Sequence, residues 1–300
     1  MELNKKTLFE LRKMKIEEVS KYYLELRKYK YEQGEKLKGI ELRKKIHFIL
    51  LQIIKLERIL SNESLTIVSD ERIKTNKTKV YACTHIGGND VQRTFEAIKE
   101  HAYLFLGDPK EIYRDMTGKI LFLNGAICLE TANKTDRRIA KERGIELLNN
   151  GGNLLIYPEG AWNITQNLPV MKLYTGAADI ARVTNSDIIP VAIEQDKKDF
   201  YVSIGKNIDT AEFKDIPLKE LNEYLRDMMA TEKWKTWESI GSANREEFTQ
   251  EYRENFAQSI VDKCGYDFSL QDVYDTMYKD PNEASEEEVF SFQRKLIKNW

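Results

Sequence analysis

The chain has 300 residues, of which 41% are hydrophobic, with a formal net charge of −2 and a pI near 6.1. A chain of this length and balance buries a core of its own, so neither disulfides nor a structural metal are required. The three cysteines, Cys83, Cys128 and Cys264, are an odd and widely spaced set that excludes a disulfide framework and a paired metal-ligand spacing, so we expect a reducing cytoplasm.

No targeting or membrane-spanning segment is recognisable in the sequence. The first 13 residues contain no continuous apolar stretch that ends in a small-residue cleavage site, so we expect no secretory signal. The longest nearly apolar segment, Ile46 to Ile54, is far shorter than the roughly 20 residues of a spanning helix. We therefore expect a cytoplasmic protein.

Residues 1–61 are predicted to form a basic helical hairpin. Apolar residues recur at helical steps of three and four on both sides of a turn marked by Gly34 and Gly39. Lys and Arg outnumber Asp and Glu in this segment, whereas the rest of the chain is acidic. The second helix, Ile46 to Leu60, therefore suits peripheral docking on the inner face of a membrane. The alternative is that this amphipathic helix simply packs on the sheet.

Residues 62–210 are predicted to form an α/β domain. Short apolar or β-branched runs alternate there with helical stretches, a pattern typical of a mixed, largely parallel sheet flanked by helices. The predicted strands are Leu65–Val68, Val80–Thr84, Tyr103–Leu106, Ile120–Leu123, Ala126–Leu129, Asn153–Tyr157, Ile188–Ile193 and Tyr201–Ile204. The clearest helix runs from Thr135 to Leu148, with capping oxygens from Thr135 and Asp136 and a stop at Gly151.

Residues 211–300 are predicted to form a helical extension. Strand signals vanish beyond about Thr210, and long polar stretches with helical spacing follow. The aromatic residues of this segment, among them Trp234 and Phe256, are interpreted as packing residues. The sequence assigns no function to the extension.

One short segment at a predicted strand end carries residues suited to catalysis. In Thr84–Asp90 a histidine follows the strand and an aspartate stands five residues later, with Gly87 and Gly88 between them. The carboxylate of Asp90 is placed to hold one ring nitrogen of His85 while the other removes a proton from a hydroxyl group. The plainer interpretation is that Asp90 caps a helix and His85 is an ordinary loop residue.

A second segment, Leu154–Gly160, ends an apolar strand with a carboxylate and a glycine. Open α/β sheets bind ligands along the carboxyl edge of their strands, so His85, Asp90 and Glu159 are expected to converge although about 70 residues separate them. By itself, a strand-turn of this kind is structural more often than functional.

Together these segments resemble the glycerolipid acyltransferase superfamily, which includes the lysophosphatidate and glycerol-3-phosphate acyltransferases. That family has four ordered motifs: His-x4-Asp, a Gly-led strand ending in Arg, a Phe-Pro-Glu-Gly-Thr-Arg-like turn, and an apolar strand containing Pro. The matching segments here, in the same order, are His85–Asp90, Gly125–Thr131, Tyr157–Asn163 and Ile188–Ile193. Thr175–Ala177 also matches a Thr-Gly-Ala that opens a helix in the family, and the resemblance covers residues 80–195.

The resemblance implies an O-acyltransferase of lipid biosynthesis or modification. Such an enzyme transfers a fatty acyl group from a thioester of coenzyme A or acyl carrier protein to a hydroxyl group of a lysophospholipid-like or glycolipid acceptor. His85 would be the general base, oriented by Asp90, with no acyl-enzyme, no bound cofactor and no metal. Glu159 and Gly160 match acceptor-binding residues, and backbone N–H groups near Gly160 are candidates to stabilise the tetrahedral intermediate.

The sequence departs from the family where positive charge commonly holds the acceptor's phosphate. Thr131, Trp162 and Tyr174 stand in place of two arginines and a lysine. None of these three side chains can form the bidentate hydrogen bonds by which an arginine binds phosphate. Arg137 and Lys172 are candidate substitute cations. The alternative is that they are ordinary surface residues with no role in binding. We therefore expect a neutral or glycosylated acceptor, with Trp162 stacking on a sugar, lining an acyl groove or simply packing.

Two rival functions fit parts of the pattern. A thiol enzyme would use Cys83 as nucleophile beside His85, although a cysteine on a buried strand is usually a packing residue. A non-catalytic lipid-binding or scaffold member of the same fold is favoured by the missing cations and disfavoured by the intact His85, Asp90 and Glu159. Nucleic-acid binding is not expected, because the catalytic body is acidic and has no basic face with interleaved aromatics.

Overall fold

The structure of the chain is a computed structural model, which describes residues 6–165, 168–241, 249–263 and 268–279. Its N-terminal helices are α1 (Leu8–Lys13), α2 (Ile16–Glu32) and α3 (Ile40–Leu60). The turn between α2 and α3 contains Gly34 and Gly39, both with positive φ, as the sequence predicts. No helix among the described residues is long and apolar enough to cross a membrane. Cys264 lies outside the described residues.

A mixed sheet lies at the centre of the described residues. Its eight strands are β1 (Ser64–Asp70), β2 (Lys79–Cys83), β3 (Tyr103–Gly107), β4 (Ala126–Leu129), β5 (Leu154–Ile156), β6 (Asp187–Asp196), β7 (Asp199–Ile204) and β8 (Ile208–Asp209). The strand order is β1-β7-β6-β2-β5-β3-β4, and β8 pairs with β6. The pairs that β6 makes with β7 and β8 are antiparallel, and the other described pairs are parallel. The predicted α/β fold with a mixed, largely parallel sheet is confirmed.

Helices cover both faces of this sheet. They are α4 (Asp90–Ile98), α5 (Met116–Asn124), α6 (Lys134–Asn149), α7 (Gly176–Thr184) and α8 (Leu218–Ile240). One face packs against α6, α7 and α8 through residues such as Ala140 and Leu225. The other face packs against α3 and α4 through Leu51 and Phe95. The sheet is therefore buried on both sides, as a largely parallel sheet requires.

One predicted strand is a helix in the structure. Ile120–Leu123 forms the second half of α5. The N-cap of this helix is Asp115, whose side chain accepts a hydrogen bond from the Gly118 N–H, and its C-cap is Gly125. A four-residue apolar run does not by itself distinguish a strand from a turn of buried helix. The prediction was wrong because the cap at Asp115 was not recognised.

The helix predicted over 135–148 is confirmed as α6, but its cap is a different residue. The Asn133 side chain accepts the first N–H, from Asp136, at 3.0 Å. The carboxylate of Asp136 is buried and accepts hydrogen bonds from the Arg27 guanidinium of α2 and from the Glu130 N–H. Asp136 therefore fastens the N-terminal helices to the sheet domain instead of capping α6.

Two further helices, α9 (Gln250–Val261) and α10 (Leu270–Thr276), pack on the loop that follows β5. The buried residues of this contact, which we name the C-terminal cluster, are Ala161, Ile164, Met171, Ile260, Val261 and Val273. The predicted helical character of the segment after Thr210 is confirmed for α8, α9 and α10. The division of the chain at residues 61 and 210 stays a prediction.

Candidate active site

The loop after β2 carries the predicted catalytic pair. β2 ends at Cys83, and His85 follows at the carboxyl edge of the sheet. Gly87 and Gly88 have φ of 81° and 60°, a conformation that side-chain-bearing residues rarely adopt. These two glycines turn the loop back, so that α4 begins at Asp90.

His85 and Asp90 form a hydrogen-bonded pair. The Nδ1 atom of His85 lies 2.7 Å from Oδ2 of Asp90, and the same oxygen accepts the N–H groups of Ile86 and Gly87 at 2.9 Å. Because an ionised carboxylate only accepts hydrogen bonds, Nδ1 carries the ring proton and Nε2 presents a lone pair. None of the described residues is hydrogen-bonded to Nε2, and the side chain of His85 is 17% exposed. Nε2 is therefore open to an incoming hydroxyl group.

Glu159 follows β5, the neighbour of β2, and clamps two loops together. It is fully buried, and its two oxygens accept the N–H of His85 at 3.1 Å and the N–H of Met171 at 2.8 Å. Burial raises the pKa of Glu159, while the two N–H groups oppose that shift. Both oxygens of Glu159 are thus engaged by backbone N–H groups, and the carboxylate joins the loop after β2 to the loop after β5.

Two aromatic rings flank the imidazole of His85. The Tyr157 ring stacks on it with centroids 4.3 Å apart, and the tyrosine hydroxyl lies 3.3 Å from Oγ1 of Thr94. The Trp162 ring stands edge-on at 6.1 Å, and the next residue, Asn163, donates its N–H to the His85 carbonyl at 2.8 Å. These contacts restrict the orientation of the imidazole. Tyr157 was not predicted as a site residue, and its place at a strand end beside the histidine is the signal that identifies it.

Gly160 stands at the turn between Glu159 and the aromatic residues. Its φ is 74°, and a Cβ atom there would lie 2.3 Å from the Tyr174 ring, so the position requires glycine. Its N–H donates to the Tyr157 carbonyl at 3.0 Å and is not free to stabilise an intermediate. The predicted backbone donors near Gly160 therefore reduce to the N–H groups of Ala161 and Trp162, which have no partner among the described residues.

The three positions that lack the family's cations follow two different strands. Trp162 and Tyr174 lie on the loop after β5, whereas Thr131 follows β4, two strands further along the sheet. Arg137 of α6 donates a hydrogen bond to the Thr131 carbonyl, and its charge opposes the rise that burial causes in the pKa of Tyr174. Arg137 is therefore the predicted substitute cation that lies between these positions. Lys172 is half-buried on the loop before Tyr174.

Comparison with known proteins agrees with this geometry. The acyltransferase family model matches residues 64–194, the segment that contains the four motifs. These residues form an acyltransferase domain. The resemblance to the glycerolipid acyltransferase superfamily is thereby confirmed. Among solved structures, the 1-acyl-sn-glycerophosphate (LPA) acyltransferase from Thermotoga maritima matches with a TM-score of 0.52 and 16% identity, over 79% of this chain and 88% of that chain, which shows a shared fold. No curated protein matches the sequence.

Neither thiol nor metal chemistry has a suitable group of residues in this acyltransferase domain. Cys83 is fully buried, its sulfur lies 3.5 Å from Oγ1 of Thr94, and burial raises the pKa of its thiol. A nucleophilic cysteine needs an accessible thiolate, so Cys83 is a packing residue. Among the described residues, no three His, Cys, Asp or Glu side chains are grouped to hold a metal ion.

Helix α8 supports the acyltransferase loops with polar residues that the sequence analysis does not identify. Arg226 donates to the carbonyl of Val170 at 3.1 Å, next to the N–H that Glu159 holds. The buried Lys233 donates to the carbonyl of Ile193, whose N–H in turn donates to the Thr84 hydroxyl at 3.0 Å. Both contacts join residues far apart in the chain, and no local sequence signal predicts them.

Proposed function

We propose that the protein is an O-acyltransferase that moves a fatty acyl group from a thioester to a hydroxyl group of a lipid acceptor. The observation that carries this proposal is the His85–Asp90 pair, in which Nδ1 lies 2.7 Å from the carboxylate and Nε2 is open at the carboxyl edge of the sheet. The proposed donor is a thioester of coenzyme A or acyl carrier protein, which acts as a co-substrate.

In the proposed reaction, His85 is the general base. Nε2 takes the proton of the acceptor hydroxyl while its oxygen attacks the thioester carbonyl, so that a C–O bond forms. The tetrahedral intermediate then collapses with cleavage of the C–S bond. The imidazolium, stabilised by Asp90, returns the proton to the departing thiolate. The products are an ester and a free thiol, and His85 ends neutral.

The negative charge of the tetrahedral intermediate requires hydrogen-bond donors that are fixed in advance. The N–H groups of Ala161 and Trp162 are the candidates, because they directly follow the Glu159–Gly160 turn and have no partner among the described residues. Glu159 orders this turn by holding the N–H groups of His85 and Met171. The proposed role of Glu159 is therefore to hold the base, His85, at a fixed distance from the N–H groups of Ala161 and Trp162.

The proposed acceptor is uncharged where the family binds a phosphate. Thr131, Trp162 and Tyr174 carry no charge, and the nearby guanidinium of Arg137 already donates to a protein carbonyl. A guanidinium engaged in this way is only partly free for a bidentate grip on phosphate. The side chains around His85 therefore favour a neutral lysolipid-like or glycolipid acceptor over lysophosphatidate.

We also propose that α3 docks the enzyme on a membrane surface. One side of α3 packs on the domain through the buried His47 and Leu51. The apolar residues exposed on its other side are Leu42, Phe48, Ile49, Ile53, Leu56, Ile59 and Leu60. Lys45 and Lys55 stand beside this face and suit anionic headgroups. The packing and docking interpretations of this helix are thus compatible, because they use opposite sides.

Mass spectrometry of reaction products tests the proposed activity. The protein and its His85→Ala variant are incubated with palmitoyl thioesters of both carriers and with monoacylglycerol, glycolipid, lysophospholipid and lysophosphatidate acceptors. We expect an acylated acceptor whose formation requires His85. Free thiol without an acylated acceptor means that the panel lacks the right acceptor. If the unmodified protein gives neither product, it is instead a non-catalytic lipid-binding member of this fold.

A further inference from the structure

The two C-terminal helices cover one side of the candidate active site. Their buried residues and those of the loop after β5 form the C-terminal cluster, which joins α9 and α10 to the residues that directly follow Gly160. Lys110 and Asp272 add an ion pair of 3.6 Å between α10 and the segment after β3. The extension is therefore packed against the catalytic loops through both apolar and charged contacts.

Trp162 is the point at which the extension meets the catalytic loop. The Phe268 ring, just before α10, stands edge-on to the indole with centroids 5.7 Å apart. The indole also stands edge-on to the imidazole of His85, with centroids 6.1 Å apart. A Cβ placed on Gly87 would lie 3.4 Å from the indole and 3.6 Å from Ile260 of α9, so loop, indole and helix are in contact. Trp162 is only half-buried, so part of this residue remains exposed.

A second aromatic residue of the same loop also binds the extension. The Tyr174 hydroxyl donates to the Thr276 carbonyl at 3.0 Å, and the Tyr278 ring stands edge-on to Tyr174 at 4.9 Å. These side chains are uncharged. Lys263 at the end of α9 is exposed, and its Cβ is 3.8 Å from the position that a Cβ on Gly88 would take. The contacts that Trp162 and Tyr174 make with the extension are therefore aromatic and uncharged.

We propose that α9 and α10 form a wall of the acceptor site, in which Phe268 holds the Trp162 indole beside His85 and the indole contacts an uncharged polyol acceptor. This inference rests on the proposed acyltransferase function and adds a role for the extension. The face of an indole packs well on the C–H groups of glycerol or a sugar ring and offers no charge to a phosphate. Trp162 is then a specificity-determining residue, and Phe268 is a positioning residue that acts through it.

Steady-state kinetics of a Phe268→Ala variant test this proposal. We expect the KM for the uncharged acceptor to rise about tenfold, as for loss of an aromatic anchor, while kcat and the KM for the acyl thioester stay within about twofold. A Phe268→Tyr variant keeps the ring and is expected to restore the acceptor KM. Monoacylglycerol and a glycosyl diacylglycerol serve as separate acceptors and distinguish glycerol from sugar as the polyol. Lysophosphatidate is the charged comparison, on which the variant is expected to have little effect.

The matched control is Tyr274→Ala, which removes an exposed ring from α10 and is expected to behave as the unmodified protein. An equal loss of kcat with every acceptor, together with a lower unfolding temperature, would overturn the proposal because Phe268 would then only stabilise the fold. Unchanged acceptor KM in Phe268→Ala would also overturn it. A failure of the acyltransferase function itself is recognised separately, because thioester turnover would then not differ between the unmodified protein and His85→Ala.

Discussion

The proton on His85 is placed by a single carboxylate, and an Asp90→Asn variant tests this. The amide keeps an oxygen for the N–H groups of Ile86 and Gly87, which now bond to Oδ2 at 2.9 Å. That oxygen can still accept the Nδ1–H of His85, but the amide has no negative charge to stabilise the imidazolium, and the corresponding substitution in a serine protease lowers kcat by about 10⁴-fold. We expect a fall in kcat of about 10³-fold or more with an unchanged unfolding temperature. Activity close to that of the unmodified protein would show that Asp90 only orders the loop before α4, through the N–H groups of Ile86 and Gly87.

A Glu159→Gln variant tests the clamp between the two loops. The amide has one oxygen, so it cannot accept the N–H groups of both His85 and Met171, and one buried donor is left unpaired. An unpaired buried polar group costs about 1–3 kcal/mol, so we expect the free energy of unfolding in urea to fall by about that amount. Glu223→Gln, on the exposed surface of α8, is the control and is expected to change stability little. Equal stability of both variants would contradict the clamp.

The grouping of His85, Asp90 and Glu159 was predictable because His85 and Glu159 come shortly after apolar strands that end at Cys83 and Ile156. His85 and Asp90 are five residues apart, so their contact is local, and Glu159 follows from the rule that parallel strands share a carboxyl edge. Trp162 was recognised only as a departure from a motif. Its contact with Phe268 joins segments about 100 residues apart, and neither residue carries a local signal for it.

At the scale of elements, the exposed apolar face of α3 predicts membrane binding that a charge abolishes. Ile49 and Ile53 are 65% and 55% exposed, so Ile49→Asp and Ile53→Asp remove little packing, and we expect stability to change by no more than about 0.5 kcal/mol. Each side chain buried in lipid contributes about 1.5–3 kcal/mol, so we expect vesicle binding to fall about tenfold or more for each variant. Flotation with anionic vesicles measures this. Val183→Asp, on α7 and 58% exposed, is the matched control and is expected to bind normally.

The contact between α3 and α5 is expected to weaken in acid. His47 Nδ1 lies 2.8 Å from Oδ1 of Asn124, and His101 Nε2 lies 2.7 Å from the Asn124 carbonyl, with both rings buried. Burial lowers the pKa of both histidines, and that of His101 falls from 6.5 to about 4. A histidine with a depressed pKa contributes stability that is present above the unfolded value and is lost as the pH falls through the folded one.

Urea unfolding at a series of pH values measures this effect. We expect the unfolding midpoint to fall between pH 6.5 and about pH 4, and to fall less steeply in a His101→Gln variant, which cannot take up the proton. Parallel pH profiles for the two proteins would show that the acid sensitivity comes from other groups.

Elements were predicted more reliably than their arrangement. The α/β class was predictable from the alternation of strands and helices, because the hydrophobic periodicity of each element is a property of its local sequence. The run Ile120–Leu123 was misassigned because four apolar residues fit either state. The sheet order, in which β7 separates β6 from β1, depends on pairing between distant segments, and composition does not encode it.

At the scale of the whole molecule, α3, α9 and α10 are each tied to elements that carry the candidate active site. The fully buried Arg93 of α4 pairs with Glu57 of α3 and with Glu63, so the proposed docking helix is tied to the helix that begins at Asp90. On the other side, the C-terminal cluster ties α9 and α10 to the loop after β5. The sequence shows a basic head, an α/β body and a polar helical tail, but only the fold shows that head and tail flank one site.

This distribution of charge predicts that membrane binding depends on salt. The basic hairpin is attracted to anionic lipid while the acidic body is repelled, and both effects are screened as the Debye length shortens from about 10 Å at 0.1 M to about 3 Å at 1 M salt. We expect flotation with anionic vesicles to weaken over this range, and Lys45→Glu to weaken it further at low salt only. Lys206→Glu, exposed on the body, is the matched control. Binding to neutral vesicles isolates the apolar contribution of α3, which salt does not screen. If binding to anionic vesicles is as insensitive to salt as binding to neutral vesicles, the charge of the hairpin has no part in docking.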